Sequence, residues 1–373
     1  MRIISYSAGT WELRHGRIHQ PTARWTILNR CFEKMGAVVE NIRIAPARQF
    51  GYYAGYALSI LKNIAKSVRR RRYVDLVLSY FPYMAPIGFF SGKLGGIPWV
   101  ADWGDALIGS PVVEHFRNYQ RSKYITIRFL ERTILKSADR VVTNFVGLSQ
   151  QLIGEGFDRN KVTAISDGVD NTLFVPPSSS HTREIDKLKE ELGIKGKTMF
   201  YHGKIAKMYN LTRLVNALKI ASKSIPDLNL LLVGDGDDVD GIKWLARKLN
   251  IEKYVTITGA LPYEEMPRYV RLADVCILPF RGGALKIWEW CASGKPVIGF
   301  RGYLEMEGFI HNENAYLVDS PEEIANAVVR VLTDEDLAKR LGEGAAKIAM
   351  EHDWRKLSKE YFRILQDAVF CRD

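Results

Sequence analysis

Cysteine is scarce in this chain of 373 residues. Cys31, Cys276, Cys291 and Cys371 form no C-x-x-C pair, and no histidine stands near them at metal-ligand spacing. A disulfide scaffold and a small zinc module are thereby excluded, and a reducing, cytoplasmic setting is expected. Long apolar runs are also missing. No segment approaches the roughly 20 residues that span a bilayer, and the opening MRIISYSAGTWELRHG reads as a strand and a loop, not as a secretory leader. Helix-turn-helix, RNA-recognition and zinc-finger patterns are absent, so no nucleic-acid partner is expected. The acidic stretch Gly234-Asp235-Gly236-Asp237-Asp238 lacks the twelve-residue ligand pattern and terminal Glu of a calcium loop. It reads as a strand-to-helix turn, and no metal or other cofactor is expected.

What the chain has is positive charge, unevenly placed. Residues 1–175 carry 24 Lys and Arg against 13 Asp and Glu, while the remainder balances at 29 of each. The whole formal excess of +11 therefore lies in the first half. Such asymmetry speaks of partners, not of fold. Part of it is concentrated in Phe50 to Tyr73, where Tyr53, Tyr56, Ala57, Ile60, Leu61 and Ile64 recur at helical spacing and Lys62, Lys66 and Arg69 to Arg72 follow. An aromatic and aliphatic face with a basic flank is the composition of a helix lying on anionic lipid. It equally suits a helix packed on a sheet with arginines at its carboxyl end.

Length predicts two domains, and 47% hydrophobic residues suffice for two cores. In the first half, short apolar runs at Arg2–Tyr6, Val38–Ile44, Leu76–Ser79, Trp99–Asp102, Arg140–Thr143 and Val162–Ile165 alternate with helical patterns. The second half repeats this, with strands at Met199–His202, Leu228–Val233, Tyr254–Thr258, Val275–Leu278, Val297–Phe300 and Ala315–Leu317. Alternation of this kind predicts βαβ units and parallel sheets. Pro176 to Ser180 is turn-rich and reads as the linker. The expected fold is α/β: two Rossmann-like, doubly wound parallel-sheet domains, residues 1–175 and 176–354, facing across a cleft, with a final helix at about 355–373 packing back on the first.

One segment carries most of the chemistry, Leu278 to Phe300 (LPFRGGALKIWEWCASGKPVIGF). An apolar run ends at Pro279, Gly282-Gly283 opens a short helix bearing Glu289, and Gly294-Lys295-Pro296 leads into the next apolar run. Strand, glycine-rich loop and helix place bare backbone N–H groups at a helix start, where a phosphate is held. Glu289 adds one carboxylate within reach of sugar hydroxyls. Trp99-Val100-Ala101-Asp102-Trp103-Gly104-Asp105 puts two further carboxylates just past a strand end in the first domain.

With both halves placed, the chain resembles the retaining, nucleotide-sugar-dependent glycosyltransferases of GT-B architecture, the family-four group. The resemblance rests on Ala138-Asp139-Arg140-Val141, Asp167-Gly168-Val169-Asp170 with Phe174 and Pro176, Gly203-Lys204 after a strand, LLLVGDGDD, and VTITGALPYEEMPRYVRLADVCILP, in that order. It departs from the pattern at three places. Arg281 stands where a Glu precedes the helix Glu by eight positions. Tyr209, with Lys207 nearby, stands where the phosphate loop has a second Lys, and the N-terminal loop Gly9–Gln20 lacks a double glycine. Lys286, Glu289 and Trp290 bring the segment closer to a P-x-K-x-x-E-Y subgroup.

The resemblance implies a hexosyltransferase-type enzyme, metal-independent, that moves a sugar from a nucleotide diphosphate donor to an acceptor with retention of configuration. Lys204 and Lys207, with the N–H groups of Gly283, Ala284 and Leu285, would hold the diphosphate. Gly203 and Gly282 belong to the same donor-binding set, and Arg281 stands where an acidic residue would meet the sugar. Glu289 would meet the ribose, and Gly259 and Ala260 the base. Lys204, Asp102 and Asp105 are the expected catalytic residues, and His15 and His19 lie on a loop that can touch acceptor or phosphate. The basic first half suits a membrane-associated acceptor, a lipid-linked glycan or phosphoglycolipid, and a cytoplasmic protein peripheral on an anionic membrane. A sugar-nucleotide epimerase of the same fold and a non-catalytic basic-surface binding protein remain as alternatives.

Overall fold

The computed structural model describes residues 1–8, 24–44, 52–80, 84–104, 117–129, 133–281 and 285–370. The chain divides into two compact units, Met1–Asp167 with Trp354–Asp373, and Gly168–Asp353. In the first, β1 (Arg2–Ala8), β2 (Val38–Ile44), β3 (Leu76–Tyr80), β4 (Trp99–Trp103), β5 (Arg140–Thr143) and β6 (Val162–Ala164) form one parallel sheet in the order β2-β1-β3-β4-β5-β6. In the second, β7 (Thr198–His202), β8 (Asn229–Val233), β9 (Val255–Ile257), β10 (Val275–Ile277), β11 (Val297–Phe300) and β12 (Tyr316–Val318) form another, in the order β12-β11-β10-β7-β8-β9. Helices cover the sheets, so the central strands are buried on both faces and are mainly apolar.

The expected linker, Pro176 to Ser180, is not where the chain changes unit. Val169 and Phe174 lie in the second unit's core, and Pro176 sits 3.3 Å from where a Cβ on Gly294 would be. The chain crosses at Asp167–Gly168 and returns at Asp353–Trp354. The two crossings run side by side, with Val169 N–H donating to His352 O at 2.8 Å.

The helices Ala85–Gly95, Thr182–Glu191 and Glu335–Ala349 have no counterpart in the expectations. Ala85–Gly95 contains Gly88, Gly92 and Gly95, a composition unfavourable to a helix. Packing requires at least one of these glycines, because a Cβ on Gly88 would lie 2.0 Å from Nε1 of Trp99. The indole of Trp99 donates to Ser79 Oγ at 2.9 Å. The closing helix, Trp354–Phe370, belongs to the first unit, where Tyr361 is buried and packs on Phe32. Among the described residues, no helix is long and apolar enough to cross a membrane.

Candidate functional site

In the second unit the chain runs outward from β7 through β8 to β9, then returns to the other side of β7 as β10. At such a reversal the loops leaving the two neighbouring strands part, and ligands bind in the crevice at their carboxyl ends. Here the loop after β7 holds Gly203, Lys204 and Lys207. The loop after β10 holds Arg281 and enters the helix Leu285–Ala292. Gly282, Gly283 and Ala284, expected in the donor-binding set, lie outside the described residues, as do Asp105, His15 and His19.

The loop after β7 is built directly on the loop after β8. Gly203 N–H donates to Val233 O and Ile205 N–H to Asp235 O, each at 2.9 Å, and Asp238 N–H returns to Ile205 O at 3.1 Å. This approach needs glycine: a Cβ on Gly234 would stand 1.9 Å from Gly203 O, and one on Gly236 2.1 Å from Ile205 O. The stretch 234–238 is thus a turn that seats its neighbour. Gly234 also bridges to Gly259, which has a φ of +78°. That bridge brings the third loop, with exposed Ala260, alongside. Lys204 and Lys207 are both exposed.

Glu289 lies behind these loops, only 1% exposed. Tyr263 Oη donates to its Oε1 at 2.8 Å, and His202 Nε2 meets its Oε2 at 2.7 Å. Trp290 donates its indole N–H to His202 Nδ1 at 3.0 Å. An indole N–H can only donate, so Nδ1 is an acceptor and the ring's hydrogen sits on Nε2, pointing at the carboxylate. Burial, with Glu289 beside it, raises the Tyr263 hydroxyl well above its ordinary value, so it remains a donor. Each carboxylate oxygen therefore has one fixed donor and keeps an acceptor position for a further hydroxyl. Both flanking tryptophans are buried: Trp290 in this network, and Trp288 stacked on His352 and Phe309.

Lys286, on the first turn of the same helix, is the lysine of the P-x-K-x-x-E-Y comparison, to which sequence reasoning assigns no role in the site. Its ammonium lies 4.5 Å from the ring centre of Tyr201, 5.6 Å from Phe280 and 5.8 Å from Tyr209. It donates to Tyr201 Oη at 3.1 Å, and that hydroxyl donates in turn to Lys204 O at 3.2 Å. A Cβ on Gly203 would come within 2.8 Å of the Lys286 Nζ. Burial holds the ammonium down to about 8, with Glu289 pulling the other way. A lysine three residues before the helix Glu was the available signal. Lys295, by contrast, donates to Arg271 O and Ala273 O at 2.8 Å each and closes a helix end.

Arg281 is exposed, with Nη2 donating to Asp319 O at 3.0 Å and its guanidinium 5.3 Å from the Phe300 ring centre. Leu285 opens the helix beside it, partly exposed.

In the first unit, Asp102 does not stand free at a strand end. It is 4% exposed, and its Oδ2 accepts from Arg24 Nε at 2.9 Å and from Tyr361 Oη at 3.0 Å. Arg24 also donates to Ser166 O at 3.0 Å, to Ile165 O at 2.7 Å and to Asp167 Oδ1 at 3.2 Å. This corrects the expectation of an open acceptor-side carboxylate. Asp102 serves a buried charge cluster that ties β4, the chain leaving β6 and the final helix together.

Residues 183–348 match the family model of glycosyl transferases group 1. That stretch of the chain is of the group 1 type. Among curated proteins, the chain is 26% identical over 256 residues to a D-inositol 3-phosphate glycosyltransferase of Corynebacterium glutamicum, covering 65% of this chain and 60% of that protein. It is 30% identical over 153 residues to a GDP-mannose-dependent alpha-(1-6)-phosphatidylinositol monomannoside mannosyltransferase of Mycobacterium tuberculosis, covering 38% and 40%. The matched part is thus less than two thirds of each relative's length. Among solved structures, sucrose-phosphate synthase from Thermosynechococcus elongatus superposes with a TM-score of 0.80 at 18% identity, over 100% of both chains. HepE of Anabaena, in complex with UDP-glucose, gives 0.76 at 19%, over 98% of this chain and 100% of that one. The fold is therefore that of the GT-B glycosyltransferases, two Rossmann-like parallel-sheet units.

Proposed function

We propose that the protein is a glycosyltransferase whose second unit binds a nucleotide diphosphate sugar at the carboxyl ends of β10, β7, β8 and β9. The observation that carries this reading is the reversal of strand order between β10 and β7, with Gly203-Lys204 on one side and the helix of Glu289 on the other. The loop after β9, with Gly259 and Ala260, takes the base through backbone groups, and Glu289 accepts from the ribose hydroxyls. As the glycosidic bond breaks, negative charge grows on the departing diphosphate. Lys204 and Lys207, with Arg281 and the N–H groups of 282–285, stabilise it without a divalent ion. Transfer with retention follows from attack on the face the diphosphate leaves, assisted by that diphosphate, so no second carboxylate is needed in this scheme.

The acceptor we propose is a lipid-linked glycan or phosphoglycolipid, a chemistry in keeping with the inositol-phosphate and phosphatidylinositol acceptors in the relatives' names. The first unit supports this through a surface feature. On the helix Tyr52–Arg69, Ile64 turns inward while Leu58 and Leu61 are 48% and 62% exposed. Phe90 and Leu94 are exposed on the Ala85–Gly95 helix, with Lys93 beside them. Lys62, Arg69, Arg71 and Arg72 are exposed along the same edge, and Arg71 Cβ lies 4.0 Å from where a Cβ on Gly95 would be. Apolar side chains among cations suit an anionic lipid surface. Tyr53, Tyr56 and Ala57 lie outside the described side chains.

A thermal-shift panel of UDP, GDP, ADP and their sugars tests the donor site, since a ligand of the native state raises Tm. Stabilisation by one base series, unchanged by EDTA, is expected. No response to any of them would remove the reading. Turnover of a sugar nucleotide without acceptor would favour the epimerase instead. Sedimentation with phosphatidylglycerol vesicles, lost on Leu61→Glu and absent with phosphatidylcholine, tests the membrane surface.

A further inference from the structure

We infer that Lys286 is a cation of the donor site that contacts the diphosphate, delivered from the helix after β10 to the loop after β7. The inference rests on the nucleotide-sugar reading above and assigns to it a residue that the expected site did not contain.

The geometry of the ammonium is that of an unfinished site. Tyr201 Oη is its one hydrogen-bond partner among the described residues, and that hydroxyl spends its own hydrogen on Lys204 O. Two of the three N–H donors of Lys286 are left uncommitted among those residues, and no carboxylate stands at ion-pair distance. Glu289, one turn on, has its oxygens engaged by Tyr263 and His202. Three aromatic faces attract the cation, but they do not accept its remaining hydrogen bonds. A partly buried ammonium in this state gains from an anion that takes up the spare donors.

Position selects the anion. The Lys286 Nζ occupies the space that a side chain on Gly203 would fill, next to Lys204 and at the reversal between β10 and β7. Tyr209, at the loop position where the resemblance expects a lysine, supplies one of the rings instead and stacks on Phe280 at 4.7 Å. The loop thus gives up a cation and the helix provides one. A diphosphate presents acceptor oxygens on two phosphorus atoms, enough for Lys204 from the loop and Lys286 from the helix.

The charge state of Lys286 gives the site a pH signature. Around it stand Tyr201 from β7, Tyr209 from the following loop and Glu289 from its own helix. Burial brings its titration down to about 8, into a range where neither carboxylates nor an ordinary lysine change charge. The ammonium is present below that range and lost above it. Affinity for a diphosphate therefore falls as pH rises from about 7 to about 9.5.

Calorimetric titration at about pH 7 with UDP, GDP and ADP, then with the monophosphate of the base that binds best, tests this. Lys286→Met is expected to weaken the diphosphate by about tenfold to a hundredfold. The monophosphate should change by less than about threefold, and Lys286→Arg should recover part of the loss. The wild type should lose affinity for the diphosphate between about pH 7 and about pH 9.5, and the Met variant should not. Unchanged diphosphate affinity in Lys286→Met overturns the inference, as does an equal loss for both nucleotides. If that variant fails to fold, a flat wild-type pH series overturns it instead. A wild type that binds none of the three diphosphates brings down the nucleotide-sugar reading itself, and this inference with it.

Discussion

Trp290 donates its indole N–H to Nδ1 of His202 at 3.0 Å, and by doing so decides what His202 can offer to Glu289. The imidazole has two nitrogens, and a donor held on one leaves the other to carry the hydrogen. The Nε2 hydrogen then meets Glu289 Oε2 at 2.7 Å, while Tyr263 holds Oε1. A side chain that never touches the carboxylate thus fixes its rotamer through a second ring.

Long-range proton–nitrogen correlation spectra should accordingly show His202 of the wild type with its hydrogen on Nε2. Trp290→Phe removes the outer donor and admits the other tautomer, so both forms should appear. Removing the inner donor has a different cost. Tyr263→Phe leaves Oε1 of a buried carboxylate without its partner, a loss of about 1–3 kcal/mol by urea denaturation. A wild-type His202 carrying its hydrogen on Nδ1 would contradict the arrangement.

Arg24 and its carboxylates give a second prediction, with a pH sign. Burial works against the Arg24 charge, but Asp102 and Asp167 outweigh it and raise its pKa. Arg24→Met leaves two buried carboxylates without their cation and should cost about 3–5 kcal/mol near neutral pH. Burial raises the pKa of Asp167 even with Arg24 present. A folded-state pKa above the unfolded one means that the native state holds this proton more tightly. The resulting stability is complete below the unfolded value of about 3.9 and is lost as pH rises through the folded value. Without Arg24 that folded value moves higher still. The deficit of the variant should therefore shrink between about pH 7.5 and about pH 5, and a deficit independent of pH would refute the cluster as drawn.

These two networks also show where sequence reasoning stopped. Apolar runs bounded by glycine and proline located the strands, because a strand buried on both faces is mainly apolar. Glu289 and Lys204 stood out as candidates because one lies on a short helix opened by a glycine pair and the other follows a strand and a glycine. His202 and Tyr263 did not, since residues 61 apart in sequence meet only where parallel strands end on one edge. Asp102 shows the converse. Its position after a strand looked like a site, while the residue that claims it, Arg24, lies 78 positions earlier in a helix with no motif around it. Likewise the helix Ala85–Gly95 was not assigned, since what its Gly88 accommodates, the Trp99 indole, lies on another element.

The glycines of the second unit's loops give the last prediction. Gly236 has no unusual backbone angle, yet a Cβ there would lie 2.1 Å from Ile205 O, a backbone atom that cannot swing aside. Gly236→Ala must push the loop of residues 203–207 off its seat on the loop after β8. The overpacking should cost about 1–3 kcal/mol in a urea melt. Because Lys204 rides on that loop, affinity for a nucleoside diphosphate should fall as well, measured well below Tm where the variant is fully folded. Gly154 provides the contrast: it ends the helix Val146–Gly154, and a Cβ there meets nothing within 4 Å. Gly154→Ala should leave binding unchanged and stability equal or raised by up to about 1 kcal/mol. Normal binding by folded Gly236→Ala would separate the turn from the site and leave Lys204 without the role proposed for it.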